Sequence, residues 1–375
     1  MRIEGDIVTP QGVIRGLLDM AQGRIAAIAG TPIDTASAGE DGRPLLLPGF
    51  VDTHVHGGGG RDTMEGGDAI TTIARRHARH GTTALLATTM TAPIGEIEAA
   101  LRALGPVCRE RGAQSARVLG AHLEGPYINP GRLGAQPAHA IPATLDEVLR
   151  LNTLAPIKVL TLAPEVPGHL ALIGPLRDAG IRVQIGHSNG SYDDGVAALR
   201  AGAAGFTHLF NGMTGLHHRD PGIVGAALAH AEYAELIPDL QHVAPGTMQA
   251  AMRAIPRLYA ITDATAATGM PDGEYALGPQ RVYKCAGCVR LGGSKGSLAG
   301  SALTMDQALR NLVELGQDLA LASQRCALFP AGYLGLADRG LLAPGAWADM
   351  VVLDEALQPR QVFSEGHAIS PDNKL

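Results

Sequence analysis

Residues 45–57 read LLLPGFVDTHVHG, an apolar run that ends in two histidines, His54 and His56. Side chains two residues apart on a β-strand point to the same face of the sheet. In a closed barrel that face is the interior, so the two imidazoles would form half of a zinc-type site at the barrel mouth. The pair alone is a weak signal, because two polar residues in a surface turn fit the same pattern.

Seven further apolar runs follow, with segments of helical composition between them such as AITTIARRHARH and YDDGVAALRAG. The predicted strands after the first are TTALLATT, ARVLGAHLEG, IKVLTLAPE, IRVQIGHS, GFTHLFN, YAELIPD and LYAITDA. Eight strands that alternate with helices over about 290 residues predict an α/β fold, a (β/α)8 TIM-like barrel. The rival is a doubly wound open sheet, which usually carries a GxGxxG turn after its first strand. The first strand here ends in HVHGGGG, which lacks that spacing.

The two ends of the chain show a different sequence pattern from the middle. Both ends consist of short β-type segments separated by turn residues. They are RIEGDIVTP, GVIRGLLDM and RIAAIAG at the start, and APGAWADMVVLDE and RQVFSEG at the end. They predict a small β-sandwich domain built from residues 1–50 and 343–375. The barrel domain is then residues 51–342.

Potential metal ligands recur where the predicted barrel strands end. Besides the first histidine pair, these residues are Glu124, His187, His208 and Asp263. Chemistry in such barrels sits at the carboxyl ends of the strands, so we expect the side chains to gather there. A carboxylate facing an activated water can take its proton and later give it to a leaving group, which is the role expected of Asp263. An arginine partner for Glu124, core histidines and a helix cap by Asp263 are the plainer alternatives.

Composition restricts the function classes. The 375 residues carry 30 Lys and Arg against 36 Asp and Glu, a net charge of −6, and 46% of them are hydrophobic. A mildly acidic chain without a basic run is a poor match for nucleic-acid or membrane binding, although a phosphate on a small substrate needs only one or two local cations. No signal core or span of ~18–20 apolar residues is present, so we expect a cytoplasmic protein. The CxxC of Cys285 and Cys288 has no second pair to complete a zinc site, and YKCAGCVRLGG is interpreted as a glycine-rich hairpin.

Together LPGFVDTHVHG, AHLEGPYINP, GHSN, THLFNGM, ITDA, SLAGSALTM and the closing GAWADMVVLD resemble the N-acetylglucosamine-6-phosphate deacetylases of the amidohydrolase superfamily. The resemblance implies a metal-dependent hydrolase that releases acetate from N-acetylglucosamine 6-phosphate, a step of amino-sugar catabolism. It implies one divalent metal on Glu124, His187 and His208, a second where His54 and His56 are kept, and Asp263 as the catalytic residue. Zinc is the expected metal, with iron, manganese and cobalt as alternatives.

The same resemblance implies a set of substrate contacts and a homodimer or homotetramer. The matching positions are Ala135, Gln136, Asn211, Gly212, Arg219, His242, Leu298, Ala299 and Gly300. In the family the arginine usually reaches the phosphate bound by the neighbouring subunit. Two positions depart from the family pattern: Gln136 stands where many relatives have a histidine, with His139 three residues on, and Leu240 replaces a glycine in DLQHV.

Three alternatives stay open from the sequence. One is a deacetylase of another sugar phosphate such as N-acetylgalactosamine 6-phosphate. A second is a cyclic-amide hydrolase, but its carbamylated lysine would end the fourth strand, whereas Lys158 begins it. The third is a non-catalytic barrel that binds a sugar phosphate, which would be expected to lose Asp263 or a ligand histidine.

Overall fold

A computed structural model describes residues 1–293 and 296–370. The amino-terminal segment contains four strands: β1 (Arg2–Thr9), β2 (Gly12–Ala21), β3 (Arg24–Ile33) and β4 (Leu45–Pro48). The middle of the chain runs β5 (Phe50–Val55), β6 (Gly57–Gly58), β7 (Arg61–Asp62), α1 (Ala69–Ala78), β8 (Thr82–Thr88), α2 (Ile94–Arg109), β9 (Arg117–Glu124), α3 (Leu145–Asn152), β10 (Ile157–Leu162), α4 (His169–Asp178), β11 (Arg182–Ile185), α5 (Tyr192–Ala201), β12 (Gly205–Phe206), α6 (Gly222–His230), β13 (Tyr233–Leu236), α7 (Pro245–Ala254) and β14 (Arg257–Ala260). The remainder runs β15 (Gly273–Leu277), β16 (Gln280–Cys285), β17 (Cys288–Leu291), α8 (Met305–Glu314), α9 (Leu319–Cys326), α10 (Leu328–Leu334), β18 (Met350–Leu353), β19 (Pro359–Ser364) and β20 (His367–Ile369).

Eight parallel strands form the barrel, and they are the eight predicted from the apolar runs. Six of them pair in the order β5-β8-β9-β10-β11-β12, and β13 pairs with β14. The amide of Leu209 donates to Glu235 O at 2.9 Å, and that of Asp263 to His54 O at 3.0 Å, which joins the two sheets and closes the circle. Every residue of β8 is buried, as expected of strands covered on both faces. The predicted fold class is confirmed.

The two ends of the chain meet in one seven-stranded sheet, ordered β20-β19-β18-β4-β1-β2-β3. The sheet encloses its own apolar core, which includes Ile7, Leu18, Ile25, Leu46 and Phe363. The domain boundaries at residues 50 and 343 remain a prediction.

The opening LLLPGFV motif joins the two sheets with a single residue. β4 ends at Pro48, β5 begins at Phe50, and Gly49 lies between them. A Cβ on Gly49 would lie 2.3 Å from Thr83 Oγ1 on the neighbouring barrel strand. Only glycine therefore permits the close approach that carries the chain from the small sheet into the barrel.

Strands β15–β17 form a separate antiparallel sheet, here called the mouth sheet. Its Leu277, Val282 and Val289 pack against Met90, which follows β8, and Ala299. Cys285 and Cys288 are cross-strand partners around a two-residue turn, so the predicted hairpin is confirmed, and both thiols are free. Among the described residues, no helix has the length and apolar character needed to cross a membrane.

Glu365, in the turn between β19 and β20, links the small sheet to the barrel. Its carboxylate accepts two bonds from Arg117 at 2.8 Å, one from Arg111 at 3.2 Å, and one from Arg339. Burial alone would raise the pKa of Glu365, but Arg117 and Arg339 lower it from 4.5 to about 2. The charged form therefore stabilises the native state.

We expect Glu365→Gln to lower the free energy of unfolding at pH 7 by about 2 kcal/mol, less than the ~3–5 kcal/mol of a fully buried pair, because Arg117 reaches solvent. Because the pKa of Glu365 is lower in the native state than in the unfolded chain, its charged form stabilises the protein above pH 4.5. This stabilisation is lost as the pH falls towards 2. Denaturant unfolding from pH 7 to pH 2 should therefore show the two proteins converging in acid. Glu4→Gln, in an exposed ion pair, is the control and should match the wild type. A constant difference at all pH values would contradict the assignment.

Candidate active site

The carboxyl ends of five barrel strands bring six buried side chains together. They are His54 and His56 from β5, Glu124 from β9, His187 after β11, His208 after β12 and Asp263 after β14. Each is less than one-tenth exposed. The predicted ligand and catalytic positions thus share one place in the fold.

Three of these residues hold strained backbone conformations. The φ angles of His187, His208 and Asp263 are +46°, +30° and +50°. Non-glycine residues rarely adopt this left-handed region, and such strain concentrates at functional sites. Hydrogen bonds from Asp263 N to His54 O and from Ser301 N to Asp263 O (2.7 Å) hold the turn at Asp263.

The carboxylate of Glu124 lies between two groups of imidazoles. Its Oε1 lies 3.1 Å from His187 Nε2 and 2.9 Å from His208 Nε2. Its Oε2 lies 3.1 Å from His56 Nε2. We call Glu124, His187 and His208 the first group.

Asp263 faces the other pair of histidines from the opposite side. Its Oδ1 lies 3.3 Å from His56 Nε2 and 3.5 Å from His54 Nε2. These three residues are the second group, and Glu124 Oε2 reaches it as well. All the potential donor atoms within each group lie within 4.8 Å of one another.

The hydrogen bonds behind the rings test whether a cation fits these groups. His187 Nδ1 lies 2.8 Å from the carbonyl oxygen of Arg132, and His54 Nδ1 lies 3.0 Å from the carboxylate of Glu235. Both partners only accept, so each Nδ1 carries a proton and each Nε2 faces carboxylate oxygens, with either a second proton or a metal ion between them. Lone pairs repel unless a cation lies between them. Ligands around a tetrahedral zinc ion lie about 3.3 Å apart, so both groups fit a divalent metal.

The charges of the site favour the same conclusion. Burial lowers the pKa of His56, yet Asp263 and Glu124 raise it to about 9. Burial raises the pKa of Asp263, yet His54 and His56 lower it to about 2. The two carboxylates therefore create a field that attracts positive charge, and metal ions supply more of it than protons do.

A cavity opens above both groups, and most of the predicted substrate contacts line it. These residues are Ala135, Gln136, Asn211, Gly212, His242, Leu298 and Gly300. A Cβ on Gly212 would lie 3.0 Å from His187 Nδ1, so this position requires glycine beside the ring. Ala299 is fully buried in the mouth-sheet core. Arg219 lies on an exposed loop, beside His218, and is not among the residues that line the cavity.

Gln136 has its orientation fixed from both ends. Its Oε1 accepts a bond from Thr91 N at 2.7 Å, so its amide group turns inward and Nε2 donates to Glu124 Oε2 at 2.6 Å. His139 is exposed. The position of the family histidine is therefore occupied by Gln136 and not by His139.

The turn at DLQHV places His242 on the cavity wall. Asp239 accepts from the amide of His242 at 2.9 Å and from its Nδ1 at 2.6 Å. Burial lowers the pKa of His242, but Asp239 raises it above its ordinary value. Leu240 has φ +64°, which explains the glycine of the family pattern, and its side chain packs against the barrel core rather than the cavity.

Sequence reasoning missed several residues of this site. Glu235, on β13, contacts His54 from behind and is fully buried. Met90 and Leu277 also line the cavity. A lone carboxylate inside the apolar run YAELIPD was the one available signal for Glu235, and the two apolar residues gave none.

Comparisons with known proteins place this architecture in a family. Residues 45–369 match the profile of the amidohydrolase family. An N-acetylgalactosamine-6-phosphate deacetylase of Escherichia coli O157:H7 is 42% identical over 94% of this chain and 94% of its own length. An N-acetylglucosamine-6-phosphate deacetylase of Vibrio furnissii is 39% identical over 86% of this chain and 82% of its own length.

Solved structures agree with the sequence matches. A mutant N-acetyl-D-glucosamine-6-phosphate deacetylase of Mycobacterium smegmatis, in complex with N-acetyl-D-glucosamine 6-phosphate, superposes with a TM-score of 0.90 at 34% identity and covers 98% of this chain and 99% of that one. The chain belongs to the amidohydrolase family, whose members are metal-dependent hydrolases. Within it, the chain belongs to the N-acetylglucosamine-6-phosphate deacetylase family, as the sequence motifs predicted.

The shared carboxylate predicts how metal content responds to substitution. We expect Glu124→Gln to weaken metal binding at both groups, because each oxygen of Glu124 faces a different group. His56→Asn should affect the second group alone. Metal content after dialysis, measured by mass spectrometry, should fall further in the first variant than in the second. Equal losses would show that Glu124 does not serve both groups.

Proposed function

We propose that the chain hydrolyses the N-acetyl amide of N-acetylglucosamine 6-phosphate to glucosamine 6-phosphate and acetate. The observation that carries this proposal is Glu124 shared by two imidazole groups, with Asp263 opposite, at the floor of an open cavity. The relatives that share the fold over nearly the whole chain are amino-sugar phosphate deacetylases.

One or two divalent ions would be held by Glu124, His187 and His208 and by His54, His56 and Asp263. When bound, the metal supplies Lewis acidity, which makes water a competent nucleophile near neutral pH and polarises a carbonyl. Imidazole and carboxylate ligands suit zinc first, and iron, manganese and cobalt as well.

The protein's own groups move the proton and orient the amide. The carboxylate of Asp263 is ionised at neutral pH, so it takes the proton of the attacking water. It then delivers this proton to the nitrogen of the departing amine. Gln136 carries a second amide hydrogen besides the one directed at Glu124, and that hydrogen donates to the acetyl carbonyl oxygen as charge develops there.

The phosphate requires cationic partners at the rim of the cavity. His242, held by Asp239, is one of them, since its raised pKa favours the charged form. Arg219 lies on an exposed loop and does not line this chain's own cavity, and it would serve the substrate of a neighbouring subunit in a homodimer or homotetramer. Asn211 and Leu298, which line the cavity, would position the sugar, and Ala299 would support the turn that carries Leu298.

N-acetylgalactosamine 6-phosphate is the second candidate substrate, favoured by the 42% identity to the Escherichia coli deacetylase of that sugar. The two sugars differ only in the orientation of one ring hydroxyl. A buried hydrogen bond to that hydroxyl decides between them, since a site built for one orientation leaves a polar group unpaired with the other.

Acetate release tests the function directly. We expect metal-loaded protein to release acetate from N-acetylglucosamine 6-phosphate faster than from the galactosamine epimer, and much faster than from the unphosphorylated sugar. The reverse order for the two epimers would establish the second candidate. No release from any of the three by protein of full metal content would refute both.

Asp263→Asn should lower kcat by at least about 10³-fold, because an amide cannot accept and return the proton. Substrate affinity, measured by calorimetry on the metal-loaded variant, should change little. Asp306→Asn, which alters a buried carboxylate outside the cavity, is the matched control and should keep its activity. Retained turnover in Asp263→Asn would contradict the mechanism, because Asp263 would then not be the group that accepts and returns the proton.

Replacement of Gln136 separates its hydrogen bond from its bulk. We expect Gln136→Leu to lower kcat about 10²-fold through loss of the donor to the carbonyl oxygen. Gln136→His restores a donor and should retain most of the activity, with an added ionisation in its pH–rate profile. Metal content must be equal in all three proteins for the comparison to hold. Equal kcat in the leucine variant would show that Gln136 does not assist the carbonyl.

A further inference from the structure

Glu235 is a fully buried carboxylate beneath the proposed metal site, and no step of the mechanism uses it. It lies on β13, one of the three barrel strands that contribute none of the proposed ligands. Its Oε1 accepts from Thr53 Oγ1 at 2.9 Å and from Gln184 Nε2 at 3.2 Å. Its Oε2 accepts from His54 Nδ1 at 3.0 Å and from the backbone amide of His208 at 3.3 Å.

Among the described residues, no lysine or arginine forms an ion pair with Glu235. Its ion-pair partners are imidazoles, His54 at 3.0 Å and His122 at 4.0 Å. His122 is buried, its Nδ1 donates to Thr53 O at 3.0 Å and its Nε2 lies 2.7 Å from Thr161 Oγ1, so both of its ring nitrogens are engaged by uncharged groups. An isolated buried carboxylate is costly, and hydrogen bonds offset only part of that cost. A cation on the far side of the His54 ring would complete the balance.

We infer that Glu235 is a positioning residue for the metal held by the second group. It fixes the proton of His54 on Nδ1, so that Nε2 presents its lone pair towards Asp263 and Glu124. It also sets the angle of the ring and raises the basicity of Nε2, as carboxylates behind metal-binding histidines do. Without the carboxylate of Glu235, nothing on that side would hold the His54 ring at one angle or keep its proton on Nδ1. A proton on Nε2 would exclude a metal.

The contacts of Glu235 predict an asymmetric effect. The carboxylate touches the side chain of one ligand, His54, in the second group. In the first group it touches only the backbone amide of His208, at the longer distance of 3.3 Å. His187 is oriented independently, by Arg132 O. The role of Glu235 therefore concerns the second group above all.

The inference rests on the proposed metal site, and its test is metal binding rather than turnover. Glu235→Gln keeps the shape of the side chain and removes its charge. Zinc-loaded protein is titrated with a competing chelator while the ions released per chain are counted. We expect the ion of the second group to leave Glu235→Gln at about 10- to 100-fold lower chelator strength than in the wild type. The ion of the first group should leave at an unchanged strength.

Controls separate this effect from general destabilisation. Asp306→Asn removes a buried carboxylate that contacts His80 and Arg310 outside the cavity, and it should leave both release steps unchanged. If Glu235→Gln does not fold, Glu235→Asp makes the same test, because it keeps the charge but withdraws the oxygen from His54 Nδ1. Release of the second-group ion within twofold of the wild type in the folded variant would overturn the inference. A His54→Asn variant that holds as many ions as the wild type would also overturn it, since His54 would then bind none.

The outcome is independent of the substrate. A chain that loses the second-group ion on Glu235→Gln but releases no acetate would refute the proposed function and leave this role intact. If the wild type releases acetate and Glu235→Gln retains both ions, the proposed function is supported and the role of Glu235 is refuted.

Discussion

The active-site region depends on one electrostatic constraint: buried carboxylates that need positive charge among them. Glu124 and Asp263 lie within about 3.5 Å of imidazole nitrogens, and in His54 and His187 an acceptor holds a proton on the opposite ring nitrogen. Without a cation, lone pairs would face lone pairs, or each ring would have to bind an extra proton. Metal ions meet this constraint because the imidazole and carboxylate ligands replace the water that the ion loses.

The barrel meets the constraint by geometry and at some cost in backbone strain. Parallel strands all end at one edge, which places residues far apart in the chain around a common centre. The side chains of His187, His208 and Asp263 reach this centre from the turns that follow the strands. In these turns the three residues take left-handed backbone conformations. Beneath them the barrel interior is polar where it meets the site: Glu235, Gln184 and Tyr259 form a hydrogen-bonded layer rather than an apolar one. The strain and the polar layer are both explained by a site that must hold its ligands rigidly.

The sequence predicted the barrel and the polar residues that gather at its mouth, because both have a local signature. Apolar runs mark buried parallel strands, and a polar residue directly after such a run marks the mouth. Helix α6 was not predicted, because its sequence GIVGAALAH is apolar on every face and shows no helical period. Arg219 was expected at a substrate, from its role in the family, yet it lies on an exposed loop and does not line this chain's cavity. The sequence alone could not assign a role to Glu235, since that role depends on which residues of β5 and β11 face it across the barrel.

The two departures from the family pattern have different physical consequences. Leu240 holds its left-handed turn through the hydrogen bonds of Asp239 and directs its side chain into the core, so the cavity keeps its shape. Gln136 faces the reacting region itself, and it supplies a donor whose charge does not change with pH. A histidine at that position is a donor whose charge varies across the neutral range. Because Thr91 fixes the side-chain amide in one orientation, Gln136 in its proposed role would donate over a wider pH range than a histidine, but without the added attraction of a positive charge for the substrate carbonyl oxygen.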